Sequence, residues 1–261
     1  MATHTKALFD LTGLTALVTG GGHGIGRHLC LGLAEAGAAV IVVGRKPEPL
    51  AETVASIESA GGKAWAEQAD VADLPAIDAL VARTQELCGG VDILVNNAGM
   101  VWAAPTLDYP MAGWDKVFNL NVRGLFYLSQ QIALGMRERG GGSIINISSI
   151  SAWRCAADER EPVVAYNASK GAVVTLTRDM AVKLAADNIR VNGIAPGPFL
   201  TDMMNHVRHD EQKLRAFESS IPQQRCGSED DIKGVVVFLA SRASAFVAGQ
   251  TLAVDGGWLC T

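Results

Sequence analysis

A tyrosine and a lysine four positions apart, Tyr166 and Lys170, are the residues best suited to proton transfer. They open a stretch with helical periodicity, so this spacing places both side chains on one helix face, a turn apart. A phenol with its ordinary pKa of about 10 is a poor base at neutral pH, but a close ammonium favours the phenolate. The pair therefore predicts a general acid and base at Tyr166, with Lys170 lowering its pKa.

A serine hydroxyl at the end of an apolar run suits the same chemistry. Residues 143–149 (SIINISS) indicate a buried strand that ends at Ser149, whose hydroxyl can hydrogen-bond a substrate oxygen without ionising. No GxSxG motif surrounds it, which disfavours a nucleophilic serine. The neighbouring Ser148 is the other candidate, but alternation along a strand directs it to the opposite face.

Glycines cluster where the first apolar run meets the first helical pattern, in the segment 19–26 (TGGGHGIG). Glycine allows positive φ and close approach of backbone N–H groups to phosphate, and a helix N-terminus adds unpaired donors. An ordinary glycine-rich turn is the alternative, but the preceding strand and following helix favour a nucleotide pyrophosphate site. We predict that its residues are Gly20, Gly22, His23, Gly24, Ile25 and Gly26.

Short runs rich in Val and Ile alternate with longer amphipathic stretches along the chain, which is typical of parallel strands joined by crossover helices. The predicted strands are 15–20, 38–44, 64–69, 92–99, 143–149, 189–197 and 250–257. The predicted helices are 25–36, 50–59, 74–87, 115–139, 164–186 and 230–239. This order predicts an α/β Rossmann fold: one domain over residues 1–261, with a doubly wound, seven-stranded parallel sheet and helices on both faces.

The TGxxxGxG spacing of Gly20, Gly24 and Gly26 resembles the short-chain dehydrogenase/reductase family, and further matches follow in order along the whole chain. The resemblance implies that the catalytic residues are Asn121, Ser149, Tyr166 and Lys170, with Asn121 in a proton relay and Lys170 also holding the nicotinamide ribose. An Asn within a helix indicates local bending there. The resemblance also implies cofactor contacts from Asp70, Val71, Asn97, Ala98, Gly99, Pro196, Gly197 and Thr201.

The second predicted strand ends in Arg45 and Lys46, where an acidic residue would bind both ribose hydroxyls and repel a 2′-phosphate. Arg45 instead offers a planar donor fork suited to phosphate, and His23 adds a basic side chain in the glycine loop. The two cations could also be a solvated strand end. We expect NADP(H) as the cofactor, with NAD(H) as the alternative, and no metal.

Two segments interrupt the α/β pattern: 153–162, which carries a charged run, and 199–221, which we predict to cover the substrate. Tyr166 follows Ser149 by 17 positions, more than is usual in the family, so the first segment is an insertion that either contacts substrate or is simply tolerated. The predicted substrate pocket has apolar walls. Its candidate residues are Trp102, Trp153, Phe199 and Met203.

Three functions remain open at this point. The first is an NADP(H)-dependent carbonyl reductase or secondary-alcohol dehydrogenase, an enzyme of the class that acts on CH–OH groups. The second is a sugar-acid or polyol dehydrogenase, since Arg154 and His206 could recognise an acid and residues 9–13 (FDLTG) resemble gluconate and polyol dehydrogenases. The third is a nucleotide-binding protein without catalysis.

Composition limits the partners. A net charge of −5 with 22 scattered Lys and Arg residues gives no basic surface for nucleic acid. No apolar run is long enough to span a membrane, and five widely spaced cysteines suggest reduced thiols, so we expect a cytoplasmic protein that binds neither nucleic acid nor membrane. Apolar surface on helices 115–139 and 164–186 predicts a homo-oligomer, a dimer or tetramer.

Overall fold

The computed structural model describes residues 4–200 and 210–261. Within these residues, seven parallel strands form one sheet in the order β3-β2-β1-β4-β5-β6-β7. The strands are β1 (Thr15–Thr19), β2 (Ala39–Gly44), β3 (Ala64–Gln68), β4 (Ile93–Asn96), β5 (Gly142–Ile147), β6 (Ile189–Pro196) and β7 (Thr251–Val254). The predicted doubly wound sheet is confirmed, and each predicted strand is found with ends that differ by at most a few residues.

Helices connect the strands and cover both faces of the sheet. In the described ranges they are α1 (Thr5–Leu8), α2 (Gly24–Glu35), α3 (Pro47–Ser59), α4 (Leu74–Cys88), α5 (Met111–Phe118), α6 (Leu125–Glu138), α7 (Val164–Lys183), α8 (Glu211–Glu218) and α9 (Glu229–Ala240). Proline in the first turn suits the starts of α3 and α4, because its missing N–H has no partner there in any helix.

Alternation along the strands divides the core in two. Leu17 and Leu94 point to one face of the sheet, and Val18 and Val95 point to the other, because successive side chains in a strand lie on opposite sides. Buried side chains of α4, α6 and α7 complete the core on the Leu17 side, and those of α2, α3 and α9 complete the core on the Val18 side. The five central strands are therefore buried on both faces, as their continuous apolar composition indicated, whereas the edge strands β3 and β7 are only partly buried.

The strand order reverses between β1 and β4, since the chain builds outward from β1 to β3 and then returns to add β4 on the other side of β1. Connections on either side of this point turn in opposite directions and leave a crevice at the carboxyl ends of the strands. The fold therefore places the glycine loop after β1, the segment after β4 and the end of β5 around one opening.

The predicted helix 115–139 is corrected in two respects. It begins at Met111, and a π-helical segment, Asn119–Gly124, separates α5 from α6. The bend predicted from Asn121 is thus a widened turn of helix. A second correction concerns residues 199–221, where the described part contains α8, a helix that polar composition did not predict.

No helix within residues 4–200 and 210–261 is both long and apolar enough to cross a membrane.

Candidate active site

A cleft of about 570 Å³ lies at the carboxyl ends of the central strands. It brings together nearly all the residues predicted to hold a cofactor, which come from many separate parts of the chain. Those lining it are Gly20, Gly22, His23, Gly24, Ile25, Gly26, Arg45, Lys46, Asp70, Val71, Asn97, Ala98, Gly99, Tyr166, Lys170, Pro196 and Gly197. Thr201 lies outside the described residues.

The glycine loop adopts a backbone conformation that residues with a Cβ could not adopt. Gly20 has a φ of 67°, in the left-handed region. A Cβ on Gly26 would lie 2.1 Å from the carbonyl oxygen of Gly20, so only glycine permits this close turn. His23 is the N-cap of α2, but its side chain makes no capping hydrogen bond within the described part of the chain. The first N–H groups of α2 are thus left to a ligand, which fits a pyrophosphate.

Thr19 and Asn97 join the glycine loop to the end of β4. The Thr19 hydroxyl accepts hydrogen bonds from the backbone N–H groups of Asn97 and Ala98 at 3.0 and 2.9 Å. The Asn97 side-chain amide donates to the carbonyl oxygens of Thr19 and Gly20 at 2.9 and 3.2 Å. We did not predict Thr19 as a site residue; a hydroxyl at the last position of β1, beside the loop, was the available signal.

Arg45 and Lys46 lie exposed at one end of the cleft, just after β2. Neither side chain forms an ion pair with any residue in the described ranges. The backbone carbonyl of Arg45 accepts a hydrogen bond from the Gln68 side chain at 2.9 Å, which fixes the strand end. Two cations with no ion pair among the described residues, at a strand end that carries no carboxylate, fit a 2′-phosphate better than a pair of ribose hydroxyls.

Tyr166 and Lys170 share one face of α7 at the other end of the cleft, as their spacing predicted. The Lys170 ammonium lies 5.5 Å from the centre of the Tyr166 ring and donates a hydrogen bond to the Ile147 carbonyl at 2.8 Å. Lys170 is only 4% exposed. The side chain of Lys170 therefore extends from α7 to the end of β5 and is fixed there.

The pKa of Tyr166 differs from the sequence prediction. Burial raises it, and a hydrogen bond with Ser149 acts in the opposite direction, while the Glu161 carboxylate raises it further. Burial also lowers the pKa of Lys170 from 10.5 to about 8. The predicted lowering of the Tyr166 pKa by Lys170 is not seen, because both groups are removed from water and burial is the largest effect.

Ser149 and Ser148 have different partners, as strand alternation predicted. Ser149 lies at the cleft beside Tyr166, and its hydroxyl oxygen accepts a hydrogen bond from the Ser151 N–H at 3.1 Å. The Ser148 hydroxyl donates instead to the Lys170 backbone carbonyl at 2.9 Å. Ser148 thus fixes α7 against β5, and Ser149 is the serine whose hydroxyl lies at the cleft near the Tyr166 phenol.

Asn121 lies behind the cleft and does not line it. Its side-chain oxygen accepts from the Met100 N–H at 2.9 Å, and its amide nitrogen donates to the Met100 carbonyl and the Ser169 hydroxyl, each at 3.0 Å. The hydroxyl of Ser169 in turn donates to the Tyr166 carbonyl at 2.7 Å. The side chain of Asn121 therefore joins the loop after β4 to the first turn of α7.

The four predicted substrate residues do not all meet. Phe199 is buried and lines the cleft. Trp102 packs on Gly113 and lies under the Lys116 ammonium, 5.2 Å from it, outside the lining of the cleft. Trp153 is 50% exposed and is also outside that lining. Met203 and His206 lie outside the described residues.

The insertion after Ser149 is attached at two points. The Asp158 carboxylate accepts hydrogen bonds from the backbone N–H and hydroxyl of Thr106, both at 2.9 Å. Arg154 stacks on Trp258, with the guanidinium carbon 4.8 Å from the ring centre. The insertion is therefore attached to the segment after β4 and to the segment after β7.

Known proteins with similar sequences identify the family of this chain. The family model described as Enoyl-(Acyl carrier protein) reductase matches residues 20–259. Gluconate 5-dehydrogenase of Gluconobacter oxydans is 40% identical over 96% of each chain. The chain belongs to the short-chain dehydrogenase/reductase family. It is therefore an oxidoreductase, and the predicted family is confirmed.

Two further members of the short-chain dehydrogenase/reductase family differ in what their names say they act on. The solved structure of a gluconate 5-dehydrogenase from Burkholderia cenocepacia, in complex with NADP and tartrate, is 37% identical with a TM-score of 0.91, and the match covers 99% of this chain and 100% of that one. The 7alpha-hydroxysteroid dehydrogenase of Escherichia coli is 38% identical over 95% of this chain and 94% of its own. Membership of the family thus leaves the substrate to be argued from the site.

Proposed function

We propose that this protein transfers a hydride between NADP(H) and a carbonyl or secondary-alcohol carbon. The observation that carries the proposal is one cleft with Ser149, Tyr166 and Lys170 at one end and Arg45 and Lys46, which form no ion pair with the described residues, at the other. The first end suits proton transfer to an oxygen atom, and the second suits a 2′-phosphate. The NADP-bound relative from Burkholderia supports the same cofactor.

In carbonyl reduction, Tyr166 acts as the acid. Bound NADPH supplies the hydride that reduces the carbonyl carbon. The Tyr166 hydroxyl donates its proton to the carbonyl oxygen, and the Ser149 hydroxyl hydrogen-bonds the same oxygen as negative charge develops on it. A raised pKa keeps Tyr166 protonated at neutral pH, which suits this role. One carbonyl, one NADPH and one proton give one alcohol and one NADP⁺.

Lys170 and Asn121 support this chemistry in different ways. The Lys170 ammonium, held by the Ile147 carbonyl, faces the cleft close to Gly99, where it would bind the nicotinamide ribose. Asn121 holds the loop after β4 through Met100 and so keeps the adjacent Gly99 in place. The assembled set argues against a nucleotide-binding protein without catalysis.

Two substrate classes fit this chemistry. Phe199, Pro198 and Leu120 give the described part of the cleft apolar lining, which favours a bulky ketone or alcohol. A sugar acid is the second candidate, because the gluconate dehydrogenases of Gluconobacter and Burkholderia are similar over nearly the full chain. An exposed guanidinium on Arg154, five positions after Ser149, would suit its carboxylate.

Self-association is supported by a groove between α6 and α7 that is largely apolar and has a volume of about 920 Å³. Phe126 is 42% exposed and Leu134 is 44% exposed on this face. Because contiguous apolar surface of this kind is rarely left in water, we propose that two copies pack these faces together in a homo-oligomer. The partly exposed edge strand β7 and the fully exposed Phe246 offer a second face for a tetramer.

The cysteines support a cytoplasmic setting. Cys30, Cys88, Cys155, Cys226 and Cys260 are all free thiols, and burial raises the pKa of Cys30 and Cys226. Proteins in oxidising compartments usually pair their cysteines, whereas cytoplasmic proteins keep them reduced.

A substrate panel tests the proposed reaction. Purified protein is incubated with NADPH or NADH and with either bulky apolar ketones or keto-sugar acids, and nucleotide oxidation is followed by absorbance. We expect turnover with NADPH for at least one class, and the class with the higher kcat/KM selects between the two substrates. Binding of NADPH without turnover across both classes, in either direction of the reaction, would contradict the proposed function.

A further inference from the structure

Three side chains from distant parts of the chain form a stack: Arg154 in the insertion after Ser149, Phe217 on α8 and Trp258 after β7. The guanidinium carbon of Arg154 lies 4.8 Å from the centre of the Trp258 ring. The Nη1 of the same guanidinium donates a hydrogen bond to the Trp258 carbonyl at 3.4 Å. The Phe217 ring meets the same indole edge-on, with ring centres 5.2 Å apart. The indole of Trp258 thus contacts both the insertion after Ser149 and helix α8.

The backbone that carries Trp258 is firmly held. The Asp255 carboxylate accepts hydrogen bonds from the N–H groups of Gly257 and Leu259 at 2.9 and 2.8 Å. A Cβ on Gly197 would lie 2.6 Å from the Cα of Asp255, so this turn packs directly on the cofactor loop after β6. The backbone of Trp258 is therefore fixed relative to Pro196 and Gly197, which line the cleft.

Helix α8 is also connected to the wall of the cleft from its other end. The Glu218 carboxylate accepts a hydrogen bond from the Cys226 N–H at 3.2 Å. The next residue, Gly227, pairs with Phe199 in an isolated parallel bridge, and its N–H donates to the Pro198 carbonyl at 2.8 Å. Phe199 lines the cleft. A shift of α8 would thus be transmitted to an apolar wall residue of the cleft.

We propose that Trp258 is a positioning residue that sets substrate affinity by tying α8, and through it the cleft residue Phe199, to the insertion after Ser149. This inference rests on the proposed carbonyl reduction. Aromatic stacking and a cation over an indole ring stabilise such a contact without requiring a fixed hydrogen-bond geometry. The stack gives the unusually long Ser149 to Tyr166 segment a structural use, which its composition alone left open.

Steady-state kinetics of Trp258→Ala test the proposal on the intact protein. We expect KM for the best carbonyl substrate to rise about tenfold, with kcat changed less than about threefold and NADPH affinity within about twofold. Trp258→Phe keeps an aromatic ring against Phe217 and Arg154, and we expect it to restore most of kcat/KM. A KM within twofold of wild type in a folded Trp258→Ala protein would overturn the proposal.

Lys63 and Trp65 provide a matched control, since the Lys63 ammonium lies 4.7 Å from the indole of Trp65 on β3, at the edge of the sheet opposite β7. Lys63→Ala and Trp65→Ala remove a contact of the same kind, and we expect KM to stay within twofold of wild type. If Trp65→Ala raised KM as much as Trp258→Ala, the effect would be a general loss of stability and the positioning role would be wrong.

Arg154→Ala separates positioning from direct binding of substrate. Positioning predicts a similar rise in KM for neutral ketones and for keto acids, and a rise in the double variant Arg154→Ala/Trp258→Ala that is smaller than the product of the single effects. An effect confined to substrates that carry a carboxylate would mean that Arg154 binds the substrate itself, and would overturn the proposal.

Limited proteolysis tests the stack independently of turnover. Lys213 and Arg215 on α8 are exposed trypsin sites. We expect cleavage there to be about tenfold faster in Trp258→Ala than in wild type, because loss of the stack releases α8. Faster cleavage with no turnover in any variant or wild type would leave the stack supported and the proposed reaction wrong. Unchanged cleavage in an active Trp258→Ala protein would leave the reaction supported and the stack wrong.

Discussion

The Lys170 ammonium donates its hydrogen bond to the Ile147 carbonyl at 2.8 Å, at the point where β5 ends and the Ser148–Ser149 pair begins. The lysine is buried, and burial lowers its pKa to about 8. A charge held in this position destabilises the folded protein, and catalytic sites commonly carry such a cost. The arrangement has consequences for stability as well as for turnover.

Lys170→Met is expected to stabilise the protein and abolish turnover. The unfolded chain binds the Lys170 proton up to pH 10.5, and the folded chain only up to about 8. At pH 7 both states are protonated and the full cost of the buried charge is present, so the variant gains about 1 to 3 kcal/mol in the free energy of unfolding. Between about pH 8 and 10.5 the folded wild-type protein loses the Lys170 proton while the unfolded chain keeps it, so the wild-type free energy of unfolding rises. The stability advantage of Lys170→Met over wild type shrinks across this range.

Urea unfolding of both proteins at several pH values measures this difference. Lys6→Met, at an exposed lysine of α1, serves as the control and is expected to change stability by less than about 0.5 kcal/mol. A Lys170→Met protein less stable than wild type at pH 7 would show that the hydrogen bond to Ile147 outweighs the burial of the charge.

The two directions of the reaction are expected to depend on pH in opposite ways. Because burial raises the pKa of Tyr166, the protonated phenol predominates at neutral pH and reduction is fast there, declining only as pH rises toward that pKa. Alcohol oxidation needs the phenolate, so its kcat/KM is expected to rise with pH through the alkaline range. Initial rates in both directions over a pH series test this, and oxidation that falls with rising pH would contradict the assignment.

Arg45→Ala is expected to weaken NADPH binding by about 1.5 to 3 kcal/mol and to leave NADH binding unchanged, because the lost contact is a charge-assisted bond to the 2′-phosphate. Nucleotide fluorescence titrations give both dissociation constants. Arg83→Ala removes an exposed arginine paired with Glu67 and Glu86 and is the matched control. Equal NADH and NADPH affinities in wild type, unaffected by Arg45→Ala, would favour NAD(H) and the sugar-acid dehydrogenase.

Leu134→Glu is expected to dissociate the proposed oligomer. A carboxylate in the centre of an apolar interface would be buried without a partner, which costs several kcal/mol in association. Light scattering after size exclusion would give a lower mass for this variant than for wild type, while circular dichroism stays unchanged. A wild-type protein that is monomeric, or a variant that keeps the wild-type mass, would show that the α6–α7 groove is not the interface.

Local patterns in the sequence predicted the sheet and most of the cleft. Glycine spacing specifies the turn after β1, since Gly26 cannot carry a Cβ beside Gly20, and four-residue spacing places Tyr166 above Lys170 on α7. These features depend on neighbours close along the chain. The assembled cleft then follows from the parallel strand order, which aligns the carboxyl ends of the strands.

Long-range contacts account for what the sequence could not predict. Trp102 is of a residue type that often forms pocket walls. Its ring packs on α5 instead, because Gly113 has no side chain to exclude it. Arg154 meets Trp258 across 104 positions, and no periodic pattern relates them. The pKa of Tyr166 likewise depends on burial by the assembled site, whereas the sequence shows only the nearby lysine.

The most direct test of the account is the rate of NADPH-dependent carbonyl reduction by Tyr166→Phe, measured beside NADPH binding in the same protein. Loss of the proton donor is expected to lower kcat by about 10² to 10⁴-fold while the NADPH dissociation constant stays within about threefold. Tyr127→Phe, which removes a hydroxyl bonded to Asp78 outside the cleft, should retain wild-type turnover. A Tyr166→Phe protein that keeps more than about a tenth of wild-type kcat would show that the proton comes from another group.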